Sequence, residues 1–83
     1  MTKQLKNEYG TIFTLFSVVE NGETRYGIRA QEDNDIRAVL FEGITEEECL
    51  KVMDVFCEND VRPCHIKCVA EEILSECVVF VKI

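Results

Sequence analysis

The sequence has few of the residues from which active sites are usually built. It contains one histidine, one proline and no tryptophan, and its four glycines stand apart, so no glycine-rich loop could cradle a phosphate. No apolar run approaches the roughly 20 residues needed to cross a bilayer, and no charged-then-apolar leader follows Met1. These absences argue against a nucleotide-binding, membrane-spanning or secreted protein. We therefore expect no catalytic role and no cofactor.

Basic residues are also scarce. The net charge is −7, and residues 30–60 hold ten carboxylates against only Arg37 and Lys51. Nucleic acids and anionic membrane surfaces are bound by basic patches, so neither is expected as a partner. A basic protein partner, or one that meets an apolar surface, stays open. An alternative hypothesis is that the acidic segment acts as a decoy for a basic partner.

Length and cysteine content indicate one small domain in a reducing compartment. The chain has 83 residues, of which 47% are hydrophobic and 30% charged, which suits a single folded domain over 1–83. Whether residues 1–8 are flexible stays open. The five cysteines are an odd number without a leader peptide, so they do not form the framework of a secreted disulfide scaffold. The expected location is the cytoplasm, with reduced thiols.

The first half of the chain predicts a meander of three strands. The β-prone run Thr11–Glu20 ends at Asn21-Gly22, a pair favoured in type I′ hairpin turns. A hairpin centred on that turn pairs positions that sum to 43, and a four-residue loop at 32–35 pairs positions that sum to 67. Together the two registers place Phe16, Gly27 and Leu40 side by side, with a third strand over Ile36–Glu42.

The second half predicts two helices and a last strand. Thr45 and Glu48 form a capping box at the start of an amphipathic helix that ends at Asn59-Asp60. A second helix begins with Pro63 in its first turn. Its apolar positions follow helical spacing: Ile66, Val69, Ala70, Ile73 and Leu74. Alternation over Cys77–Ile83 suits a final strand, so the element order is β-β-β-α-α-β. The expected fold is α+β, an antiparallel meander with two helices packed on one face and a C-terminal strand.

The registers divide the strand residues between two faces. The face expected under the helices holds Phe13, Leu15, Val19, Tyr26, Ile28, Ala30, Val39 and Phe41. The opposite face holds Ile12, Phe16, Val18, Gly27, Ala38 and Leu40. Apolar stripes with a charged rim on small domains usually mark association, so this second set is the candidate interaction surface.

The cysteines supply the main alternative site. Cys49, Cys57 and Cys77 are expected to point into the core as small hydrophobic residues. Cys64 and Cys68 lie one helical turn apart near His65, and thiolates with that spacing are able to share a soft metal or to act as a redox pair. The spacing lacks the second pair of a structural zinc site, and i,i+4 cysteines have poor disulfide geometry. Inert, partly exposed thiols are the preferred interpretation.

Several phrases resemble a family of short uncharacterised proteins from Gram-positive anaerobic bacteria. They are Tyr26-Gly27-Ile28, Ile44-Thr45-Glu46, Val61-Arg62-Pro63-Cys64-His65-Ile66 and Val69-Ala70-Glu71-Glu72-Ile73-Leu74. The resemblance implies a cytoplasmic bacterial protein with a helix after the Pro-x-His sequence, and it supplies no site residues.

The sequence therefore predicts a small acidic interaction domain without a catalytic role. Its partner is either a second copy, giving a homodimer, or another protein. The alternatives are a metal- or thiol-redox-responsive protein that uses Cys64, Cys68 and His65, and the acidic decoy.

Overall fold

The structure is a computed structural model that describes residues 3–74 and 78–81. Its elements, in chain order, are β1 (Gln4–Lys6), β2 (Ile12–Glu20), β3 (Glu23–Glu32), β4 (Asp35–Phe41), α1 (Glu46–Glu58), a 3₁₀ turn (Pro63–His65), α2 (Ile66–Ile73) and β5 (Val78–Val81). Strands β1 to β4 form an antiparallel meander, and the fold is α+β. The backbone of β5 lies antiparallel beside β4. Of the predicted last strand, Cys77, Lys82 and Ile83 lie outside the described residues.

Both predicted strand registers are confirmed. Phe16 lies opposite Gly27, and Gly27 lies opposite Leu40. Asn21 and Gly22 have φ values of 52° and 78°, as a type I′ turn requires. The connection between β3 and β4 was predicted too long, because Glu32 and Asp35 pair and leave a two-residue turn. The register is unchanged, because a two-residue and a four-residue loop with the same centre pair the same positions.

Strand β1 was not predicted. It pairs with β2 through Leu5 and Phe13, and the connection is built around Asn7. The Asn7 side-chain Oδ1 accepts hydrogen bonds from the backbone N–H groups of Tyr9 and Thr11, each at 3.0 Å. A short polar side chain therefore organises the turn in place of a hairpin dipeptide, so the usual two-residue signal is missing.

The α1 capping box is present as predicted. The Thr45 hydroxyl accepts from the Glu48 backbone N–H at 3.2 Å, and the Glu48 carboxylate accepts from the Thr45 backbone N–H at 3.1 Å. Three glutamates occupy the first turn, where the helix dipole favours negative charge. The local sequence therefore determines where the helix begins.

The second helical segment differs from its prediction at both ends. Pro63 to His65 form a 3₁₀ turn, and the α-helix begins only at Ile66. Ile66 and Ala70 are buried as expected, whereas Ile73 is 39% exposed. The α-helix has eight residues and ends at Ile73, and Leu74, its C-cap residue, is partly buried against the core.

One face of the sheet packs against both helices. Five residues of the predicted core face are fully buried: Phe13, Ile28, Ala30, Val39 and Phe41. They form one cluster with α1 and α2, and the rings of Phe13 and Phe56 lie 6.0 Å apart. Leu15 and Tyr26 are partly buried against this cluster. Val19 was wrongly placed in the core and is 70% exposed, because the β2–β3 hairpin extends past the helical layer.

Candidate functional site

The sheet face opposite the helices carries the candidate interaction residues. We call it the outer face, defined by the alternating strand positions that share a side with Phe16. Its central row runs across the strands from Phe16 through Gly27 to Leu40, and the register places Val79 of β5 beside Leu40. The α1 and α2 side chains in the core all belong to the cluster on the other face. Among the described residues, no helix covers the outer face.

The absence of a side chain at Gly27 shapes the middle of this row. A Cβ atom at Gly27 would clash with the Phe16 ring and with the Val39 carbonyl oxygen. The ring therefore packs directly over the Gly27 backbone and fills the space that a side chain would take. On the other side of the sheet, the buried Cys49 Sγ donates to the Gly27 carbonyl oxygen at 3.7 Å. Gly27 is thus enclosed between the outer-face ring and α1.

The candidate residues differ in accessibility. Gly27, Ala38 and Leu40 are buried, so they contribute little accessible surface to the outer face. Ile12 and Phe16 are half-buried, and Val18 is 37% exposed. The accessible apolar surface therefore follows β2 and does not extend evenly across all three central strands.

Charges on the outer face are distributed unevenly along the strand direction. The half toward the β1–β2 turn carries Lys6 and Arg29, with no carboxylate at its paired strand positions. The half toward the Asn21-Gly22 turn carries Arg25, Glu20, Glu23 and Glu42. Arg25 bridges Glu20 at 3.0 Å and Glu42 at 3.3 Å. Arg29 is half-buried and makes no ion pair within the part of the chain that the structure describes.

The thiol and imidazole candidates do not converge on one point. His65 and Cys68 line a groove of about 570 Å³ between the end of α1 and α2, together with Asp60 and Glu72. Cys64 is absent from that lining. The pKa of Arg37 in β4 is raised mainly by the hydrogen bond and charge of Asp35, and Cys64 makes a smaller contribution in the same direction. Over residues 3–74 and 78–81, no group of three metal-binding side chains is present.

The cysteines fall into two environments. Cys64 and Cys68 are exposed, as predicted, and Cys49 is buried. Burial and the charge of Glu46 raise the pKa of Cys49 from 9.0 to about 12. Burial raises the pKa of Cys57 as well, helped by the nearby carboxylates of Asp60, Asp54 and Glu58. Cys57 is half-buried, with its Sγ donating to the Lys6 carbonyl oxygen at 3.6 Å. Cys77 lies outside the described residues.

A polar cluster beside the β1–β2 turn was missed by sequence reasoning. Arg62 lies over the Tyr9 ring at 5.2 Å and bridges Glu32 at 2.9 Å. Behind it, Asn7 is 8% exposed, and its Nδ2 has no hydrogen-bond partner among the described residues. These residues come from three segments that are distant in sequence, so no local motif predicts the cluster.

Acidic residues predicted as a possible decoy have local roles. Glu32 pairs with Arg62, and Asp35 accepts from Arg37 at 2.8 Å. Glu48 belongs to the capping box. Pairing and capping use part of the negative charge that a polyanion mimic would present.

No protein family matches this chain, and neither a curated protein nor a solved structure is significantly similar to it. Among the described residues, no helix is both long enough and apolar enough to span a membrane.

Proposed function

We propose that this protein is a non-catalytic interaction domain that associates with a second copy of itself through the outer face. The observation that carries the proposal is the uncovered apolar stripe of Ile12, Phe16 and Val18 along β2, on the face opposite both helices. A two-fold interface needs a self-complementary patch, and this stripe, in which Thr14 separates Ile12 from Phe16, offers one along a single strand. We further propose a cytoplasmic location, no cofactor, and kinship with the short bacterial proteins that the chain resembles.

Apolar burial contributes to this association. Removing a fully exposed phenylalanine side chain from water contributes about 1.5–3 kcal/mol. Phe16 is already half-buried and Val18 is 37% exposed, so the pair from both copies supplies only part of the roughly 8 kcal/mol that a micromolar interface requires. The surrounding arginines and glutamates suit the polar rim of such an interface.

A pair of adjacent substitutions tests the proposal. Phe16 lies on the outer face, and Ser17, the next residue, is exposed on the other face. Phe16→Glu places two carboxylates near each other across the two-fold axis and should dissociate the dimer, whereas Ser17→Glu should leave it intact. Sedimentation equilibrium measures association, and circular dichroism verifies the fold. A wild-type protein that stays monomeric at high concentration would overturn self-association.

The metal and redox alternative receives less support. It requires Cys64, Cys68 and His65 to act together, but His65 and Cys68 line the α1–α2 groove and Cys64 is not part of that lining. Elemental analysis of the purified protein tests this alternative directly. Bound zinc or copper at one equivalent per chain would favour it over the interaction domain.

We also propose that β5 is a permanent fifth strand of the sheet. Its four residues pair with the last four of β4, from Phe41 opposite Val78 to Ala38 opposite Val81. Closing the β4 edge in this way would remove a row of unpaired backbone groups that otherwise promotes aggregation. Hydrogen exchange tests the proposal: the β5 amides that bond to β4 should be protected to the same degree as those between β3 and β4.

A further inference from the structure

Strand β2 is longer than β1, its neighbour at the edge of the sheet. Strand β1 pairs with β2 only from Ile12 to Thr14. A hydrogen bond of 3.0 Å from the Leu15 backbone N–H to the Lys3 carbonyl oxygen extends this contact by one position. Beyond that point, no described residue pairs with β2 on the β1 side. Residues 16–20 therefore leave one side of the strand open, and we call this side the β2 edge.

The hydrogen-bonding phase of β2 identifies which backbone groups the edge presents. The Leu15 N–H points toward β1, and backbone groups alternate in direction along a strand, so those of Ser17 and Val19 point the same way. The two-residue turn at Asn21-Gly22 gives the same phase, because it directs the even-numbered residues of β2 toward β3. The N–H and C=O groups of Ser17 and Val19 thus have no strand partner among the described residues. Such a row of free groups is a template for another extended chain.

Negative charge borders the β2 edge on the helix side of the sheet. A groove of about 600 Å³ lies between Lys3, where the edge starts, and the first two turns of α1. Glu46 and Glu47 line it, are exposed, and form no ion pair over residues 3–74 and 78–81. Lys3 supplies one positive charge against these two carboxylates. The excess negative charge favours a cationic occupant and disfavours a second copy of this acidic chain.

We propose that the β2 edge binds an extended segment of a basic partner protein, which adds to the sheet antiparallel to β2. Backbone hydrogen bonds provide affinity in this mode of recognition, and alternate side chains provide specificity. Directly opposed residues have side chains on the same face, so partner residues opposite Ser17 and Val19 lie on the helix side. Lysine or arginine at those positions meets the groove carboxylates. The intervening partner residues lie beside Val18 on the outer face, where apolar side chains fit. This site uses the edge of the sheet and goes beyond the proposed self-association, which uses the outer face.

A synthetic peptide that alternates lysine and valine is the probe. Two N-methylated analogues of equal composition and charge separate backbone pairing from general attraction to an acidic protein. Methylation of the lysine amides, which face β2 in the proposed pairing, should weaken binding by at least about tenfold. Methylation of the valine amides, which face away, should change the dissociation constant by less than about threefold. Calorimetric titration at low salt measures all three. An unmodified peptide that does not bind, or equal weakening by the two analogues, would overturn the proposal.

Hydrogen exchange, measured for single residues by NMR, locates the bound peptide. In the free protein the Ser17 and Val19 amides should exchange fast, whereas the Val18 amide, which bonds to β3, should exchange slowly. The peptide should slow exchange at Ser17 and Val19 by about tenfold or more. Slow exchange of both amides in the free monomer would mean that the edge is already paired. Protection that grows with protein concentration alone would place a second copy there, and either result excludes the proposed partner.

Removal of the groove carboxylates tests the charge requirement. The double variant Glu46→Gln/Glu47→Gln should weaken binding of the unmodified peptide by at least about fivefold at low salt. Glu71→Gln/Glu72→Gln, at exposed positions of α2, makes the same change in net charge and is the matched control, with little expected effect. Circular dichroism verifies that both variants fold. Equal weakening by the two would show that binding follows net charge and not the groove, which contradicts the proposed site.

Discussion

At the residue scale, the contact between Phe16 and Gly27 holds the outer face together. Gly27→Ala adds one methyl group that meets both the Phe16 ring and the Val39 carbonyl oxygen. The ring is able to rotate away, but the backbone oxygen is not, so overpacking should lower the free energy of unfolding by about 1–3 kcal/mol. Urea denaturation measures this loss. Ser17→Ala, a change of similar size at an exposed position, is the control, and an unchanged midpoint for Gly27→Ala would contradict the close packing.

The thiols provide a second prediction at this scale. Cys64 and Cys68 are exposed and should react with a thiol reagent in the native state much faster than Cys49 and Cys57. Cys49 should be the slowest, because it is fully buried and its pKa is raised to about 12, which leaves little thiolate near pH 8. Mass spectrometry of a labelling time course identifies each site. Equal labelling of all four would show that α2 is rotated from its described position.

The raised pKa of Cys49 also predicts loss of stability in alkali. The folded state holds the Cys49 proton up to a pKa of about 12, whereas the ordinary value is 9.0. This contribution to stability is complete below pH 9 and falls as the pH rises from there toward 12, because the unfolded chain releases the proton first. Unfolding midpoints measured from pH 7 to pH 11 should fall more steeply for the wild type than for Cys49→Ala. Parallel slopes would assign the loss to other groups.

At the element scale, the capping box makes α1 sensitive to one hydroxyl. Thr45→Ala removes the acceptor for the Glu48 backbone N–H and should destabilise the fold by about 1 kcal/mol. Thr45→Ser keeps the oxygen and should retain most of the wild-type stability. Chemical denaturation measures the free energy of unfolding of both variants. An equal loss of stability in the two would mean that the methyl group of Thr45, and not its capping hydroxyl, stabilises this position.

The elements that sequence reasoning predicted are those with local signals. Asn21-Gly22 determines one turn and therefore a nine-pair register, and Thr45 with Glu48 determines the start of α1. Strand β1 lacks such a signal, because its connection depends on Asn7 accepting hydrogen bonds within an irregular turn. The 3₁₀ turn at Pro63 was merged with α2, since proline suits the first turn of either helix type. The exposure of Val19 and Ile73 depends on tertiary packing, which the periodicity of the sequence does not encode.

At the scale of the whole molecule, the membership of the outer face could be predicted, but its accessibility could not. Alternation places Ile12, Phe16 and Leu40 on one side once the registers are known. The burial of Leu40, only 9% exposed, depends on its neighbours in three dimensions. The same holds for the thiol site. Sequence spacing groups Cys64 with Cys68, whereas in the structure Cys64 lies in the 3₁₀ turn before α2, and Cys68 lines the groove with His65.

The exposed end of the β2–β3 hairpin offers a test that does not disturb the core. Val18 and Val19 are adjacent and accessible, 37% and 70% exposed, but they point to opposite faces of the sheet. Val18→Lys replaces an accessible apolar side chain of the outer face with a cation that would have to be desolvated in the interface, so it should weaken self-association by about tenfold or more. Val19→Lys makes the same chemical change on the helix side, beyond the core, and should leave association unchanged. Both variants should unfold at nearly the wild-type denaturant concentration, because neither side chain is buried. Sedimentation equilibrium of the two variants then shows which face of the sheet mediates self-association. Equal weakening by both would mean that the hairpin tip associates through its edge, and the outer face would lose its assigned role.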